Sequence, residues 1–158
     1  MKTLILTVGL PRSGKSTWAM RQGLPVVNPD SIRFALYGQP FIASAEQFVW
    51  ATAKLMVQSL FVAGHDAVIL DATNTTLARR EDWILPKVGR LFRVFDTCAE
   101  VCKDRARKND QDYLIPVIER MAVSYEPLTD YELAEHQANA AHPQQTGYAL
   151  PSGCGGEE

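Results

Sequence analysis

The stretch Gly9-Leu10-Pro11-Arg12-Ser13-Gly14-Lys15-Ser16-Thr17 constrains this chain more than any other. It follows the apolar run Leu4-Ile5-Leu6-Thr7-Val8 and leads into the amphipathic Trp18-Ala19-Met20. The local order is therefore strand, glycine-rich turn, helix. Glycines let the backbone curl so that successive N–H groups converge on one point. The helix start behind the turn adds unsatisfied donors and the positive end of a dipole. Such a cradle suits phosphate, and G-x-x-x-x-G-K-[ST] is the Walker A pattern. Gly9, Pro11, Arg12, Ser13, Gly14, Lys15, Ser16 and Thr17 are thus expected to hold the phosphates of ATP or another NTP. Lys15 should reach the β- and γ-phosphates, and the Ser16 hydroxyl should ligate Mg²⁺.

The rest of the chain alternates in the same manner. Apolar, β-branched runs near Thr3–Val8, Pro25–Asn28, Ala67–Asp71 and Leu91–Asp96 read as strands. Helical spacing is expected near residues 16–22, 31–37, 44–63, 77–85, 99–108, 116–125 and 131–141. Gly23, Gly38, Gly64 and Pro86 act as stops, and Pro29 and Asp30 as a helix start. This order predicts an α/β fold, a doubly wound parallel sheet of about four strands flanked by helices. The domain should occupy 1–142, with a helical lid near 103–113. Residues 143–158, rich in Gly, Pro and Gln, read as a frayed tail.

Ligands of such sheets bind beyond the carboxyl ends of the strands. Asp30 lies just past the second strand, where a carboxylate can accept the proton of an attacking hydroxyl. Arg33 follows one helical turn later, on the same face, where it can hold a phosphate. A plain helix cap with a surface arginine is the bland alternative. Asp71 closes the third strand in the Walker B manner and is expected to orient Mg²⁺ or its waters. Arg79 and Arg80 either meet substrate phosphates or form a solvated pair. Arg105 and Arg107 end a helix before a polar loop, as lid arginines do, although the same charges also complement a helix dipole. Arg90, far from the strand ends, should be solvated.

Sixteen Lys and Arg all fall before residue 121, whereas residues 121–158 carry six acids and no Lys or Arg. That asymmetry fits a polyanion-binding body or an ordinary surface with an acidic end. No apolar run is long enough to span a bilayer, and no signal peptide is expected. Cys98, Cys102 and Cys154 lack disulfide spacing and suit a cytoplasmic protein with reduced thiols. His65, His136 and His142 read as surface or satisfied histidines, and Trp18, Trp50 and Trp83 as core.

Gly9–Ala19, then Asn28-Pro29-Asp30-Ser31-Ile32-Arg33, then Asp71-Ala72-Thr73-Asn74 with Arg79-Arg80, then Phe95-Asp96, resemble the kinase domain of bacteriophage polynucleotide 5′-kinases. The arginine-rich lid, followed by Ile115-Pro116-Val117-Ile118 and Met121, extends the resemblance to these enzymes and their small P-loop kinase relatives. It covers roughly residues 2–126. It implies an ATP-dependent kinase acting on the 5′-hydroxyl of DNA or RNA. Lys15 and Ser16 would bind ATP·Mg²⁺, Asp30 would be the general base, Arg33 would contact the phosphate or substrate, and lid arginines would stabilise the transition state. Two departures stand out. The family's second lid arginine is replaced by Asn109, leaving Arg107 or Lys108 to substitute, and Arg12 stands where Gly is common. No D-x-D-x-T phosphatase motif is present, so 3′-phosphatase activity is not expected. A small-molecule kinase of the same fold, acting on a sugar, sugar acid or nucleoside, is the nearest alternative. A non-catalytic ATP-binding module is the more distant one.

Overall fold

A computed structural model describes residues 1–141. His142, Cys154 and the expected tail lie outside the described residues. The elements are β1 (Lys2–Val8), α1 (Lys15–Met20), β2 (Val26–Val27), α2 (Pro29–Tyr37), α3 (Glu46–Val62), β3 (Ala67–Leu70), α4 (Leu77–Glu81), β4 (Val88–Val94), α5 (Ala99–Arg107), α6 (Ile115–Val123) and α7 (Asp130–Ala140). Short 3₁₀ turns at Ala43–Ala45 and Asp112–Leu114 precede α3 and α6. The expected helix over 44–63 is therefore a 3₁₀ turn followed by α3.

All pairings are parallel, in the order β2-β3-β1-β4. The expected doubly wound sheet of four strands is the one found. β1 is central, with Leu4 opposite Val68 on one side and opposite Arg90 on the other. The path from β1 to β2 runs one way across the sheet, and the later connections run back. Right-handed crossovers then put α1 on one face and α3 on the other. Side-chain alternation agrees. Leu4, Leu6 and Val8 pack with Val49, Ala53, Val57 and Phe61, the every-fourth-residue stripe of α3. Ile5 points the other way, to Ala19 of α1. Burying Val49, Val57 and Phe61 contributes on the order of 1.5–3 kcal/mol each, before the cost of ordering the chain.

β4 starts at Val88, earlier than the expected Leu91, because Lys2 and Thr3 offer partners to Val88 and Gly89. It is an edge strand, and α7 covers its open side. Glu135 accepts the Arg90 N–H (3.2 Å), His136 Nδ1 accepts the Phe92 N–H (3.1 Å), and Asn139 donates to the Arg90 carbonyl (2.9 Å). Three side chains thus take the place of a fifth strand.

Here two expectations fail. Arg90 is not solvated: it is 2% exposed, its Nη2 is 2.6 Å from Glu135, and its Nη1 donates to the Arg80 carbonyl. Nor are Arg79 and Arg80 a matched pair. Successive helix positions point about 100° apart, which turns Arg80 inward to full burial while Arg79 stays half exposed. Nε and Nη2 of Arg80 meet Glu132, Nη1 donates to the carbonyls of Asn74 and Glu126, and Nη2 also donates to that of Pro127. All five N–H donors are used. Glu132 also closes a capping box with Thr129 at the start of α7.

Candidate active site

The P-loop occupies the turn between β1 and α1 at the carboxyl edge of the sheet. Its first glycine is required by crowding. A Cβ on Gly9 would lie 2.9 Å from the Phe95 Cβ, the Phe95 carbonyl and the Ser13 hydroxyl. Gly14 caps α1 at φ +102°, a left-handed conformation that favours glycine. Arg12 adopts φ +65° in the same loop without being glycine. Thr97 pins the loop from outside by donating to the Ser13 carbonyl (3.1 Å).

Lys15 folds back over this loop, donating to the Leu10 carbonyl and to Ser13 Oγ. It is 7% exposed. Burial pushes its ammonium down from 10.5 to about 8, against the upward pull of Asp71, Cys102 and Asp30. Its hydrogen-bond partners are neutral oxygens, so no carboxylate holds its charge directly.

Asp71, 4% exposed, follows β3 and receives Asn28 Nδ2 at 2.7 Å. Asn28 has a second role. Its Oδ1 accepts the Ser31 N–H, making Asn28 the N-cap of α2, with Pro29 at the first helical position. The helix therefore begins at Pro29, two residues before the expected 31–37, with its cap at Asn28 rather than at Pro29 or Asp30. Through one amide, the Asp71 carboxylate is tied to the helix that carries Asp30 and Arg33. Asn74, at φ +45°, donates to the Thr7 carbonyl, and Arg80 holds the Asn74 carbonyl. The clamp on α7 thus fixes the loop behind the site.

Asp30 stands in the first turn of α2, exposed, 2.6 Å from Arg33 Nη1. Arg33 is bidentate to Glu46, with Nε to Oε1 at 2.7 Å and Nη2 to Oε2 at 2.6 Å. The Glu46 hydrogen bonds hold the Arg33 guanidinium above its ordinary value, and Arg33 holds the Glu46 carboxyl below its own. Trp50, one turn beyond Glu46, packs edge-on against buried Trp83 and faces both Arg33 and Arg79.

On the lid side, Arg105 reaches the P-loop and donates to the Arg12 carbonyl (3.1 Å). Arg107 does not: it pairs with Asp104 on its own helix at 2.6 Å. Asn109, in the place of the second lid arginine, caps α5 by donating to the Arg105 carbonyl. Cys98 is exposed and Cys102 buried, both as free thiols. His136 is satisfied by the Phe92 N–H, as expected of a structural histidine.

Of the sequence candidates, the structure brings Lys15, Ser16, Asp30, Arg33, Asp71 and Arg105 to one edge of the sheet. Arg107 is turned away. Asn28 and Asn74 stood in the motifs at the strand ends, but their bonds to Asp71 and to the Thr7 carbonyl were not foreseen, and Glu46 was missed altogether. Asn28 was legible as an Asx-Pro helix start, whereas Glu46 and Asn74 have partners too distant in sequence to infer. The donors present fit the implied ligands. Arg12 Nε is buried without a partner in the loop, as suits an anion. Mg²⁺ takes one or two protein oxygens plus phosphates and waters, and Ser16 with Asp71 supplies that number. Among the described residues, no three His, Cys, Asp or Glu form a closed metal cage.

A parallel sheet with this loop after its central strand defines a P-loop kinase-type nucleotide-binding domain. The sequence matches the AAA domain family model over residues 4–128, and the chain belongs to that family. It is similar to a chain in the structure of a Pnkp1/Rnl/Hen1 complex, at 28% identity and TM-score 0.59 over 66% of this chain. It spans only 38% of that longer chain. A sugar kinase from a Janibacter species is 17% identical, with TM-score 0.57 and coverage of 89% of this chain and 94% of that one. A gluconokinase from Sinorhizobium meliloti is 15% identical, with TM-score 0.52 and coverage of 88% and 91%. These two share the fold. No curated protein matches the sequence. Among the described residues, no helix is long and apolar enough to cross a membrane.

Proposed function

We propose that this protein is an ATP-dependent kinase that phosphorylates the 5′-hydroxyl of DNA or RNA. The observation that carries the reading is the placement of an exposed carboxylate, Asp30, across from a buried phosphate-type lysine, Lys15, whose ammonium feels its charge. A protein that only bound nucleotide would need no such carboxylate. The likeness to the Pnkp1-containing complex supports a polynucleotide acceptor.

In this reading Lys15 and the P-loop N–H groups hold the β- and γ-phosphates. Arg105, lying on the loop, faces the charge that builds as the γ-phosphoryl group moves. Asp30 accepts the proton of the acceptor hydroxyl as its oxygen bonds to the γ-phosphorus. The bond from that phosphorus to the β-γ bridging oxygen breaks, and the electron pair leaves with ADP. Arg33 keeps the Asp30 carboxylate oriented. Ser16 and Asp71 would hold Mg²⁺, which supplies neutralisation of the phosphate charge when bound.

The test is transfer of labelled γ-phosphate to a panel of 5′-hydroxyl oligonucleotides, nucleosides, sugars and sugar acids. Oligonucleotides should be the best acceptors. Asp30→Asn should lower kcat by about 10²–10⁴-fold with ATP affinity within a few-fold. A sugar phosphorylated better than every oligonucleotide would replace this reading with that of a small-molecule kinase.

A further inference from the structure

Two arginines meet at the phosphate loop. Arg105 Nη1 donates to the Arg12 carbonyl at 3.1 Å, which holds the last turn of α5 against the loop. Among the described residues neither arginine forms an ion pair. Arg33, Arg80 and Arg90 all have carboxylate partners, and Arg107, two positions beyond Arg105, has Asp104. The Arg12 side chain has no hydrogen-bond partner among the described residues either, yet its Nε is buried. A buried donor of a charged group left without an acceptor is destabilising. The backbone adds a second cost, because Arg12 holds the left-handed φ of +65° that glycine adopts without strain. Glycine would therefore serve the empty loop better on both counts. A residue that strains the fold twice, inside a phosphate cradle, points to what the cradle holds.

In the reaction described above, Arg105 faces the charge that builds on the γ-phosphoryl group. Its bond to the Arg12 carbonyl puts Arg12 at the same end of the loop. Charge on that group spreads over its non-bridging oxygens, so one guanidinium leaves oxygens for a second. We propose that Arg12 is a further catalytic residue, its guanidinium holding non-bridging oxygens of the γ-phosphoryl group beside Arg105 while that group moves to the acceptor. No proton leaves Arg12, which stays charged throughout. The loop thus supplies one transition-state cation from its own backbone and α5 supplies the other. Arg107, paired within α5, takes no part. The inference rests on the kinase reading and deepens it, whichever alcohol is the acceptor.

The experiment uses the full chain, the acceptor that the wild type phosphorylates best, and calorimetric affinities for ATP and ADP. Arg12→Gly is the decisive variant. It keeps the carbonyl that Arg105 binds and relieves the left-handed backbone, so the thermal midpoint should stay within about 5 °C of the wild type or rise. Its kcat should fall by about 10²–10³-fold, as loss of one transition-state donor implies. ATP affinity should fall by about tenfold or less, and ADP affinity should stay within about twofold, because ADP lacks the group that Arg12 holds. Arg12→Lys keeps a charge without the planar fork, and its kcat should lie between the two. If Arg12→Gly does not fold, Arg12→Lys decides by the same comparison. A kcat within about threefold of the wild type, in the folded variant, overturns the inference and leaves the kinase reading intact. Equal losses of ATP and ADP affinity also overturn it, since they place Arg12 on the phosphates that do not move. A wild-type protein that transfers phosphate to no acceptor overturns both.

Discussion

Lys15 and Arg80 are both buried cations behind the carboxyl edge of the same sheet, and their surroundings are opposite. Arg80 is fully buried, with every N–H spent on Glu132 or on a carbonyl. Lys15, 7% exposed, has two neutral oxygens for partners, and burial brings its ammonium down to about 8. Removing a charge from water costs several kcal/mol unless pairing offsets it. That cost is offset inside the protein for Arg80 and left open for Lys15. The first arrangement is architecture. The second is half of a binding site, completed when a polyanion arrives.

The contrast breaks most visibly at Arg80. Arg80→Ala should cost about 3–5 kcal/mol in urea unfolding, because Glu132 is left buried without its counter-charge. Burial by itself would raise the Glu132 carboxyl, but Arg80 and the Thr129 N–H outweigh it and hold it below the ordinary value. A joint Arg80→Met, Glu132→Leu replacement should cost much less than Arg80→Ala. A loss under about 1 kcal/mol for Arg80→Ala would erase the distinction between the two cations.

Lys15→Met should do the reverse. Stability should hold or rise by about 1 kcal/mol or more, since a poorly compensated charge is gone, while ATP affinity falls on the order of 100-fold. pH separates the two effects further. Between about 8 and 10.5 the unfolded chain keeps the Lys15 proton and the native state does not. Native stability therefore gains as pH rises through that window, and ATP affinity drops. Calorimetric ATP titrations at pH 7 and 9.5 should show this loss in the wild type and not in Lys15→Met. Equal losses in both would mean that the lysine charge is not what the nucleotide meets.

The smallest effect belongs to the edge strand. His136 Nδ1 accepts the Phe92 N–H and so must be unprotonated, and burial lowers its pKa from 6.5. Its contribution is complete above 6.5 and is lost as pH falls through 6.5 toward the lowered value. The urea midpoint should fall between pH 7.5 and 5.5 by the equivalent of about 1 kcal/mol or less, and His136→Gln should flatten that change. An identical pH response in both proteins would leave the histidine as packing alone.

What the sequence disclosed, and what it hid, follows the range of the interactions. The P-loop, the four strands and the stripe on α3 are local patterns, made by glycine spacing and by periods of two and about four. Asp30, Asp71 and Lys15 were legible because strand ends declare where they point. Arg79 and Arg80 are adjacent and chemically identical in sequence, and only the phase of α4 sends one into the core and the other onto Trp50. Arg90 looked solvated because its partner, Glu135, lies 45 residues away. The commitment of Arg33 to Glu46 was hidden in the same way, 13 residues off. Arg107 and Asn109 were ambiguous as lid residues because helix-end pairing and capping use the same side chains as a lid does.

The Arg80–Glu132 pair also sets an order of events during synthesis. Its members are separated by 52 positions, and Glu132 lies beyond the 4–128 segment that the AAA domain family model matches. As the chain emerges from a ribosome, β1, the P-loop and β3 are all available long before Glu132 is made. Until then Arg80 has no counter-charge with which to be buried, and the Asn74 loop has its bond to the Thr7 carbonyl but not a settled Arg80. The loop behind the phosphate cradle, though written early in the chain, gains its fully paired Arg80 clamp only once α7 has been made. A chain cut at residue 128 contains the whole matched segment and lacks the carboxylate that closes it.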